Sequence, residues 1–237
     1  MVVNRSREAW KTYGNVFDNF TLRNLQKLST QGYFNELEES IAMGKEANVF
    51  SASTSEGEKI AVKIYRLENC SFNKMYNYII QDPRYMNLKG DKRRIVFAWT
   101  QREYRNLMKA REVIRVPTPI GFKDNILLTE FIDEAGEAAP QLKNAFVENY
   151  DLLYDEIIQM VLLLYKQGLV HGDLSQFNIL IKNDQPVFID FSQSTAVDSP
   201  NAKELLKRDL EVLSNFFKKQ GIKRDPQKQF EAIINTK

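Results

Sequence analysis

The sequence predicts an α+β fold with two lobes, a small β-rich lobe followed by a helical one. Strand-like apolar runs separated by turn residues dominate the first half of the chain, as in residues 60–65 and 126–132. In the second half, two long segments carry apolar residues at helical spacing, over residues 149–167 and from residue 199 onward. Between these segments, residues 179–189 contain two short apolar runs that predict a β-hairpin.

The small lobe begins with a short predicted helix over residues 20–31, which ends at Gly32. Its buried stripe consists of residues at three-residue spacing, Leu22, Leu25 and Leu28. A strand, a tight loop that starts at Gly44, a second strand and a hairpin then lead to the strand of residues 60–65.

A long polar and aromatic stretch over about residues 67–90 follows that strand. Asp82-Pro83 and Lys89-Gly90 interrupt it, and it has no sustained periodicity, so we expect a flexible insertion. The next helix is predicted for about residues 92–111. Its apolar face contains Val96, Trp99, Glu103 and Leu107, at spacings of three, four and four.

Two long helices are predicted for the second lobe. The first ends at Gly168, and its apolar stripe is core rather than a cofactor site. That stripe consists of Leu153, Ile157, Met160, Val161 and Leu164. Ser199-Pro200 opens the second helix, which ends at Gly221. Its buried face is predicted to consist of Leu206, Leu210, Leu213 and Phe217.

The residues with catalytic potential surround the predicted hairpin. Asp173 is followed by Asn178 five residues later and by Asp190 twelve residues after that. Protein-kinase-like enzymes set out a catalytic carboxylate and two metal ligands in this order. The first carboxylate positions the nucleophile, while the amide and the second carboxylate hold Mg²⁺ or Mn²⁺ against a triphosphate. The plain alternative is a hairpin whose Asp and Asn residues only make turns.

A second signature lies upstream, in the strand Ile-Ala-Val-Lys-Ile-Tyr that carries Lys63. It is close to the kinase strand Val-Ala-Ile-Lys, whose lysine contacts the α- and β-phosphates. The loop before it keeps only Gly44 of a Gly-rich loop, because Glu46 and Val49 stand at the other glycine positions. Alone, this loop fits a surface hairpin; beside Lys63 it indicates a loop that covers a nucleotide.

Glu103 lies on an apolar helix face, where a carboxylate is costly unless it is paired. Lys63 is the expected partner, as in the ion pair of kinases between a strand lysine and a helix glutamate. The alternative is a Glu103 that reaches water at the edge of the stripe. The backbone of Glu130 and Ile132 is expected to bind the adenine edge.

Two neighbours of Asp173 have more than one interpretation. His171, the only histidine, is expected to support the loop by hydrogen bonding rather than to act as an acid or base. Ser175 either folds back on the catalytic loop or approaches the γ-phosphate, and the sequence leaves both open.

These motifs resemble the RIO family of atypical Ser/Thr kinases over roughly residues 20–220. The resemblance rests on Gly-Lys-Glu-Ala-Asn-Val from Gly44, Ala-Val-Lys-Ile-Tyr from Ala61, His-Gly-Asp-Leu-Ser-x-x-Asn-Ile-Leu from His171 and Ile-Asp-Phe-Ser-Gln from Ile189. It implies a bilobal protein-kinase-like fold with a truncated helical C-lobe that lacks the peptide-docking helices. Only 43 residues precede Gly44, so we expect the branch without a winged-helix domain, in a minimal, archaeal-like form.

The expected domains are an N-terminal helical extension over residues 1–35, a kinase N-lobe over residues 36–132 and a truncated kinase C-lobe over residues 133–237. The resemblance implies ATP-dependent phosphoryl transfer in maturation of the small ribosomal subunit. The chain would act as a Ser/Thr kinase with autophosphorylation, as an ATPase switch, or as both. A transient aspartyl-phosphate at Asp190 is implied by the same resemblance.

The expected catalytic residues are Lys63, Asp173 and Asp190, and the expected ligands of Mg²⁺ or Mn²⁺ are Asn178 and Asp190. The ATP contacts are expected from a larger set that surrounds these residues. It consists of Gly44, Lys45, Glu46, Ala47, Val49, Lys63, Glu103, Glu130, Ile132, Ser175, Asn178 and Asp190.

Two other functions remain as alternatives. A small-molecule phosphotransferase of the aminoglycoside or choline kinase type also uses His-Gly-Asp-x-x-x-x-Asn and Ile-Asp-Phe. Only 40 residues separate Ile132 from Asp173, too few for the helical acceptor pocket of those enzymes. The other alternative is a non-catalytic ribosome- or RNA-binding module with a decayed nucleotide site. The intact Lys63, Asp173, Asn178 and Asp190 argue against it.

Composition and charge bound the cellular setting. The chain of 237 residues is 43% hydrophobic and has one cysteine, which indicates a reducing compartment. We expect a cytoplasmic monomer with no membrane partner, because signal-peptide and membrane-spanning patterns are missing.

Residues 84–115 contain ten Lys or Arg against three acidic residues. This run fits a solvated helix face or an RNA contact; the resemblance favours ribosomal RNA, and we expect no DNA partner.

Overall fold

The computed structural model describes residues 17–68, 72–80, 85, 88 and 91–236, except for the side chain of Lys74. Its helices are α1 (Asn19–Thr30), α2 (Phe72–Ile79), α3 (Lys92–Ala110), α4 (Tyr150–Lys166), α5 (Ala202–Lys219) and α6 (Pro226–Ile234). Its strands are β1 (Glu36–Met43), β2 (Ala47–Ser53), β3 (Lys59–Tyr65), β4 (Pro119–Lys123), β5 (Ile126–Glu130), β6 (Asp133–Glu134), β7 (Glu137–Ala138), β8 (Leu169–Val170), β9 (Ile179–Lys182), β10 (Gln185–Phe188) and β11 (Thr195–Ala196). This content confirms the predicted α+β class.

The described residues fall into two compact units. The first unit contains those up to Ile80 together with those within residues 87–101 and 119–131, and the second contains the remainder. The first unit is built on a five-stranded sheet, and the second combines helices with three pairs of short strands. In the part of the chain that the structure describes, no helix is long and apolar enough to cross a membrane.

The sheet of the first unit has the order β1-β2-β3-β5-β4, and all its neighbouring strands are antiparallel. Side chains alternate between the two faces of a strand. In β3, Ile60, Val62 and Ile64 therefore point into the core, while Lys63 lies on the opposite face, half-buried. The sheet thus holds Lys63 on a rigid central strand, as the sequence predicts.

Helix α1 packs its apolar stripe against this sheet. Leu25 and Leu28 belong to the buried core, and Leu22 packs at its edge, which confirms the predicted stripe. Asp18 caps the helix, because its Oδ1 accepts hydrogen bonds from the N–H groups of Phe20 and Thr21 at 2.9 and 3.1 Å. The predicted start at residue 20 was therefore one residue late.

The stretch predicted to be a flexible insertion contains a helix. α2 has eight residues and buries Met75 and Ile79, which lie one helical turn apart, but it is too short to give the sustained periodicity by which longer helices are recognised. Packing of these two side chains explains an element that the sequence pattern did not reveal. Flexibility of the insertion stays a prediction, and Asp82-Pro83 and Lys89-Gly90 lie outside the described residues.

The two long helices of the second unit form where they were predicted. Every predicted stripe residue of α4 and α5 is buried. Asn149 caps α4 by accepting hydrogen bonds from the N–H groups of Asp151 and Leu152, at 3.1 Å each. The nine-residue helix α6 was not predicted; Asp225 caps it, Pro226 is its first residue, and it buries Ile233.

Strands β9 and β10 form the hairpin that the sequence predicts. Lys182 pairs with Gln185, so the turn consists of Asn183 and Asp184 alone. Both turn residues have positive φ, 50° and 60°, as a two-residue type I′ turn requires. Such a turn matches the right-handed twist of the strands and fixes their register.

Candidate active site

The hairpin register brings Asn178 opposite Ile189, the residue that precedes Asp190. Phe188 pairs with Ile179, and the ladder continues with a 3.0 Å hydrogen bond from Ile189 N–H to the carbonyl of Asn178. Asn178 precedes β9 and Asp190 follows β10, so both lie at the open end of the hairpin. An amide and a carboxylate twelve residues apart in sequence thereby become neighbours on one frame.

Asp173 lies next to the same frame. The Nδ2 of Asn178 donates to the Asp173 carbonyl at 2.8 Å and lies 3.5 Å from its carboxylate Oδ2. Gln193 Nε2 donates to that Oδ2 at 3.1 Å, and the guanidinium of Arg208 lies 3.8 Å from Oδ1. The structure therefore brings Asp173, Asn178 and Asp190 together, as their spacing predicts.

His171 supports this loop from its buried side. Its Nδ1 accepts a hydrogen bond from Asp173 N–H at 3.3 Å, so its Nε2 carries the proton and donates to the carbonyl of Ile189 at 3.0 Å. The ring also packs on Phe191, with 4.7 Å between centroids. A buried imidazole that bridges the loop to β10 matches the supporting role expected for it.

Ser175 folds back on the loop. Its Oγ accepts from the N–H of Phe177 at 3.3 Å, and its carbonyl accepts from the N–H of Asn178 at 2.9 Å. Of the two interpretations left open by the sequence, these contacts favour the local one. A direct contact of Ser175 with ATP stays a prediction.

Asp190 has an unusual backbone. Its φ and ψ are 62° and 70°, in the left-handed region that non-glycine residues rarely adopt. Ser192 compensates, since its Oγ donates to Asp190 Oδ1 at 2.7 Å and its N–H donates to the same oxygen at 3.4 Å. Strain of this kind clusters at functional sites and persists where neighbours hold it in place.

Helix α3 holds the segment that follows Asp190. Asn106 Nδ2 donates to the carbonyls of Phe191 and Ser194 at 3.0 and 2.9 Å, and Arg102 donates to the Ser194 carbonyl at 3.0 Å. Arg102 is 1% exposed, so it does not belong to the basic surface counted from the sequence. The sequence analysis missed both roles, although a polar i, i+4 pair on a buried face was visible.

Helix α5 anchors the loop of Asp173 through Asp209. Its carboxylate accepts from the N–H of Gly172 at 2.7 Å and from the N–H of Leu174 at 3.0 Å. Burial raises the pKa of Asp209 to about 7, and this effect outweighs the two hydrogen bonds, which lower the pKa. The sequence analysis missed Asp209, yet it stands three residues after Leu206 on the apolar stripe, where a carboxylate needs a partner.

The first unit holds the residues of the predicted nucleotide loop. Gly44 N–H donates to the Ala47 carbonyl at 2.9 Å, and a Cβ at Gly44 would lie 2.8 Å from that oxygen. Only glycine therefore fits this turn, which explains the one glycine that the loop keeps. Lys45 is exposed at the tip, and the Glu46 carbonyl accepts from Arg66 N–H at 2.9 Å.

Three further residues that were predicted to contact ATP, Val49, Glu130 and Ile132, lie on or next to the sheet. Val49 is the cross-strand partner of Lys63, and Glu130 is the partner of Ile60. The Glu130 carbonyl accepts from Thr129 Oγ1 at 3.3 Å. In the second unit, the Ile132 carbonyl accepts from Ala139 N–H at 2.9 Å, and the adenine contact of Glu130 and Ile132 stays a prediction.

Glu103 is 2% exposed, so the alternative in which it reaches water at the edge of the stripe is wrong. A buried carboxylate needs a compensating charge or hydrogen bonds. Its pairing with Lys63 stays a prediction.

Asn178 and Asp190, both in the second unit, fit the requirements of a divalent cation such as Mg²⁺. Both groups that face Asn178 Nδ2 are oxygens, so the amide nitrogen must point toward them and Oδ1 toward the other side. Amide and carboxylate oxygens are the donors that Mg²⁺ prefers, and Mg²⁺ usually takes only one or two protein ligands plus phosphates. No cluster of three His, Cys, Asp or Glu ligands occurs in the described chain, and this type of site needs none.

Comparison with known proteins identifies the family. The RIO domain model matches residues 48–231. The chain is similar to the RIO-type serine/threonine-protein kinase Rio1 of Haloferax volcanii, with 36% identity over 230 residues that cover 97% of this chain and 79% of the relative. It is 40% identical over 216 residues to Rio1 of Methanocaldococcus jannaschii, covering 91% of this chain and 74% of the relative.

The solved structure of the Rio2 kinase from Chaetomium thermophilum, an ADP/Mg²⁺-phosphoaspartate complex, matches with a TM-score of 0.70. The match covers 91% of this chain and 67% of that one at 22% identity, so it shows the protein-kinase-like fold alone. The fold predicted from the sequence is thereby confirmed. The chain belongs to the RIO family of atypical Ser/Thr protein kinases, enzymes of ATP-dependent phosphoryl transfer.

Proposed function

We propose that this chain transfers the γ-phosphoryl group of ATP to a hydroxyl group, with Asp173, Asn178, Asp190 and Lys63 as its reactive residues. The observation that carries the proposal is the single frame of β9, β10 and the preceding loop, on which Asp173, Asn178 and Asp190 meet. The phosphoryl-transfer transition state needs positioning and charge neutralisation more than covalent help from the protein. A rigid frame of this kind supplies positioning.

Asp173 would orient the attacking hydroxyl and take up its proton as the bond to phosphorus forms. Asn178 and Asp190 would hold Mg²⁺ or Mn²⁺ through one oxygen each, and the ion would neutralise charge on the phosphates. Lys63 would neutralise the α- and β-phosphates, oriented by Glu103. The loop of Gly44, Lys45, Glu46 and Ala47, with Val49, would cover the nucleotide. The backbone of Glu130 and Ile132 would bind the adenine, and Ser175 would complete the ATP contacts.

A phosphorylated aspartate fits the same site. The Asp190 carboxylate would attack the γ-phosphorus, ADP would leave, and water would later release phosphate. This proposal is supported by the phosphoaspartate in the Rio2 complex, whose fold this chain shares. Turnover would then act as a switch, alongside autophosphorylation on Ser or Thr.

The proposed setting is maturation of the small ribosomal subunit in the cytoplasm, with the precursor particle and its rRNA as partners. The support for RNA contact is a group of exposed basic side chains at the first turn of α3, Lys92, Arg93 and Arg94. Positive charge at a helix N-terminus opposes the helix dipole, so helix stability does not explain it. Arg84 and Lys89, expected in the same surface, lie outside the described residues.

Co-sedimentation with precursors of the small subunit tests this setting. The chain should pellet with the particle at low salt, respond to ATP, and dissociate as salt increases. No association at any salt concentration, together with efficient phosphorylation of a free peptide, would remove the ribosomal role and leave the kinase activity.

A further inference from the structure

We propose that Arg208 is a positioning residue for phosphoryl transfer, and that it supplies from α5 the cation that orients the Asp173 carboxylate. The inference rests on the proposed function, in which Asp173 positions the attacking hydroxyl. Arg208 belongs to none of the sequence motifs, and only the fold brings it to the loop.

The loop itself has no cation. Residues 171–178 contain neither Lys nor Arg, and Gly172 stands where the kinase signature His-Arg-Asp has its arginine. Gly172 has a φ of +79°, and a Cβ built on it would lie 2.9 Å from the Gln193 carbonyl oxygen and 3.4 Å from Leu205 Cδ1. A side chain at this position would be strained and would clash with the backbone. The loop can adopt this packing only without its own arginine.

Arg208 supplies the cation that the loop itself lacks. Its guanidinium donates to the Gly172 carbonyl, and its Nη2 lies 3.8 Å from Asp173 Oδ1. One nitrogen, Nη2, thus faces both the carbonyl before Asp173 and the Asp173 carboxylate. The side chains of Arg208 and Asp173 are 45% and 47% exposed, so the ion pair adds little to folding stability.

The neighbouring contacts make this orientation specific. Asp209, the next residue of α5, accepts from the N–H groups of Gly172 and Leu174, so two consecutive helix residues hold the loop by its donors and its carbonyl. On the other side, Gln193 donates to Asp173 Oδ2 at 3.1 Å. The two carboxylate oxygens therefore have different partners, which fixes the plane of the carboxylate as well as its position. Small displacements of a reacting group reduce rates strongly.

The test compares Arg208→Met with Lys207→Met, which removes one charge from the adjacent exposed position of α5. Autophosphorylation and phosphate release from labelled ATP give the rates, and nucleotide titration gives the affinity. We expect Arg208→Met to lower kcat by about 10- to 100-fold, with ATP affinity and melting temperature unchanged. Lys207→Met should behave as the unmodified chain. Arg208→Lys should recover part of the rate, because it keeps a positive charge but on a shorter side chain with different geometry.

A double-mutant cycle separates positioning from a general structural effect. In an Asp173→Asn background, Arg208→Met should lower the remaining rate by less than about twofold, because the group it orients is already gone. An equal loss in both backgrounds would overturn the inference, as would a full rate in Arg208→Met. If Asp173→Asn itself transfers phosphate at the full rate, the proposed function fails. If Asp173→Asn is impaired and Arg208→Met is not, only the role of Arg208 fails.

Discussion

Asp209 accepts a 2.7 Å hydrogen bond from the backbone N–H of Gly172, although 37 positions separate the two residues in the chain. A buried carboxylate in the core of α5 therefore holds the loop that presents Asp173. Burial raises the pKa of Asp209 to about 7. The anchor of the loop is thus expected to change its charge near neutral pH.

This pKa predicts a pH dependence of folding. Between the ordinary pKa of an aspartate, 3.8, and about 7, the folded chain keeps a proton that the unfolded chain releases. Folding stability contributed by Asp209 should therefore fall as pH rises through this window, by up to about 1.4 kcal/mol per pH unit. Asp209→Asn should flatten this dependence in chemical denaturation at pH 4 to 8. It should also lower stability by about 1–3 kcal/mol, because one backbone N–H loses its acceptor. An unchanged slope would contradict the assignment.

Lys63→Ala and Asp190→Ala should each reduce ATP turnover by about 10³-fold or more, since each removes a charge that stabilises the transition state. Both variants should fold, as measured by circular dichroism. Because Asp190 has a positive φ, Asp190→Asn is the safer companion; asparagine tolerates that backbone. Lys59→Ala, at an exposed position of the same strand as Lys63, and Asp198→Ala are the controls. Turnover near that of the unmodified chain in the Lys63 or Asp190 variants would refute their proposed roles.

Asp173→Ala should leave nucleotide affinity nearly intact while lowering the rate of phosphoryl transfer by about 10³-fold or more. In the proposed mechanism its carboxylate acts mainly in the transition state, so nucleotide binding should not depend on it. The measurements are single-turnover transfer from labelled ATP and nucleotide titration with Mg²⁺. A loss of affinity as large as the loss of rate would instead identify Asp173 as a structural residue or a metal ligand.

Gly172→Ala should impair the enzyme more than Gly32→Ala. Both glycines have positive φ, +79° and +85°, so each alanine is strained by about 1–2 kcal/mol. A Cβ at Gly32 meets nothing within 4 Å, whereas one at Gly172 would lie 2.9 Å from the Gln193 carbonyl. Thermal denaturation should show the larger loss for Gly172→Ala, and its transfer rate should fall below that of Gly32→Ala. Equal stability losses would show that the loop gives way to the added carbon.

The basic group at the start of α3 should determine the salt dependence of particle binding. Replacing Lys92, Arg93 and Arg94 with Gln should reduce the slope of log affinity against log salt by about 1 per lost phosphate contact. The matched control replaces three exposed lysines of α5, Lys203, Lys218 and Lys219, which changes the net charge equally. Arg93 and Lys92 also lie over the rings of Phe20 and Phe72, so melting temperatures must accompany the binding data. Equal slopes for the two triple variants would exclude a specific contact.

Sequence periodicity was sufficient for the long elements and insufficient for the short ones. α4 and α5 bury apolar residues over several turns, whereas α6 buries only Ile233 and the eight-residue α2 is too short for a sustained period. The cap at Asp225 with Pro226 was a usable signal for α6. These short helices depend on packing against the rest of their unit, and packing is not encoded in a local pattern.

The candidate site likewise contains residues that the sequence identified and supporting residues that it did not. Asp173, Asn178 and Asp190 lie close together in sequence, so their spacing identified them. Their supporting residues come from elsewhere in the chain, because Arg102 and Asn106 reach across 92 and 88 positions to the Ser194 carbonyl. Such contacts are set by tertiary packing, so the only hints in advance were the polar residues on apolar helix faces, Arg102 and Asn106 in α3 and Asp209 in α5.

The turn of Asn183 and Asp184 has a consequence for anyone who engineers this protein. Surface turns are ordinarily the places where tags and insertions are tolerated. Here the two-residue turn fixes the register of β9 and β10, and this register sets which residues face each other at the far end of the ladder, where Ile189 N–H donates to the Asn178 carbonyl. An epitope inserted at this turn should abolish transfer, while the same epitope after Gly221 should leave it intact. The exposed turn at one end of the hairpin therefore helps to set the spacing of the proposed metal ligands at its other end.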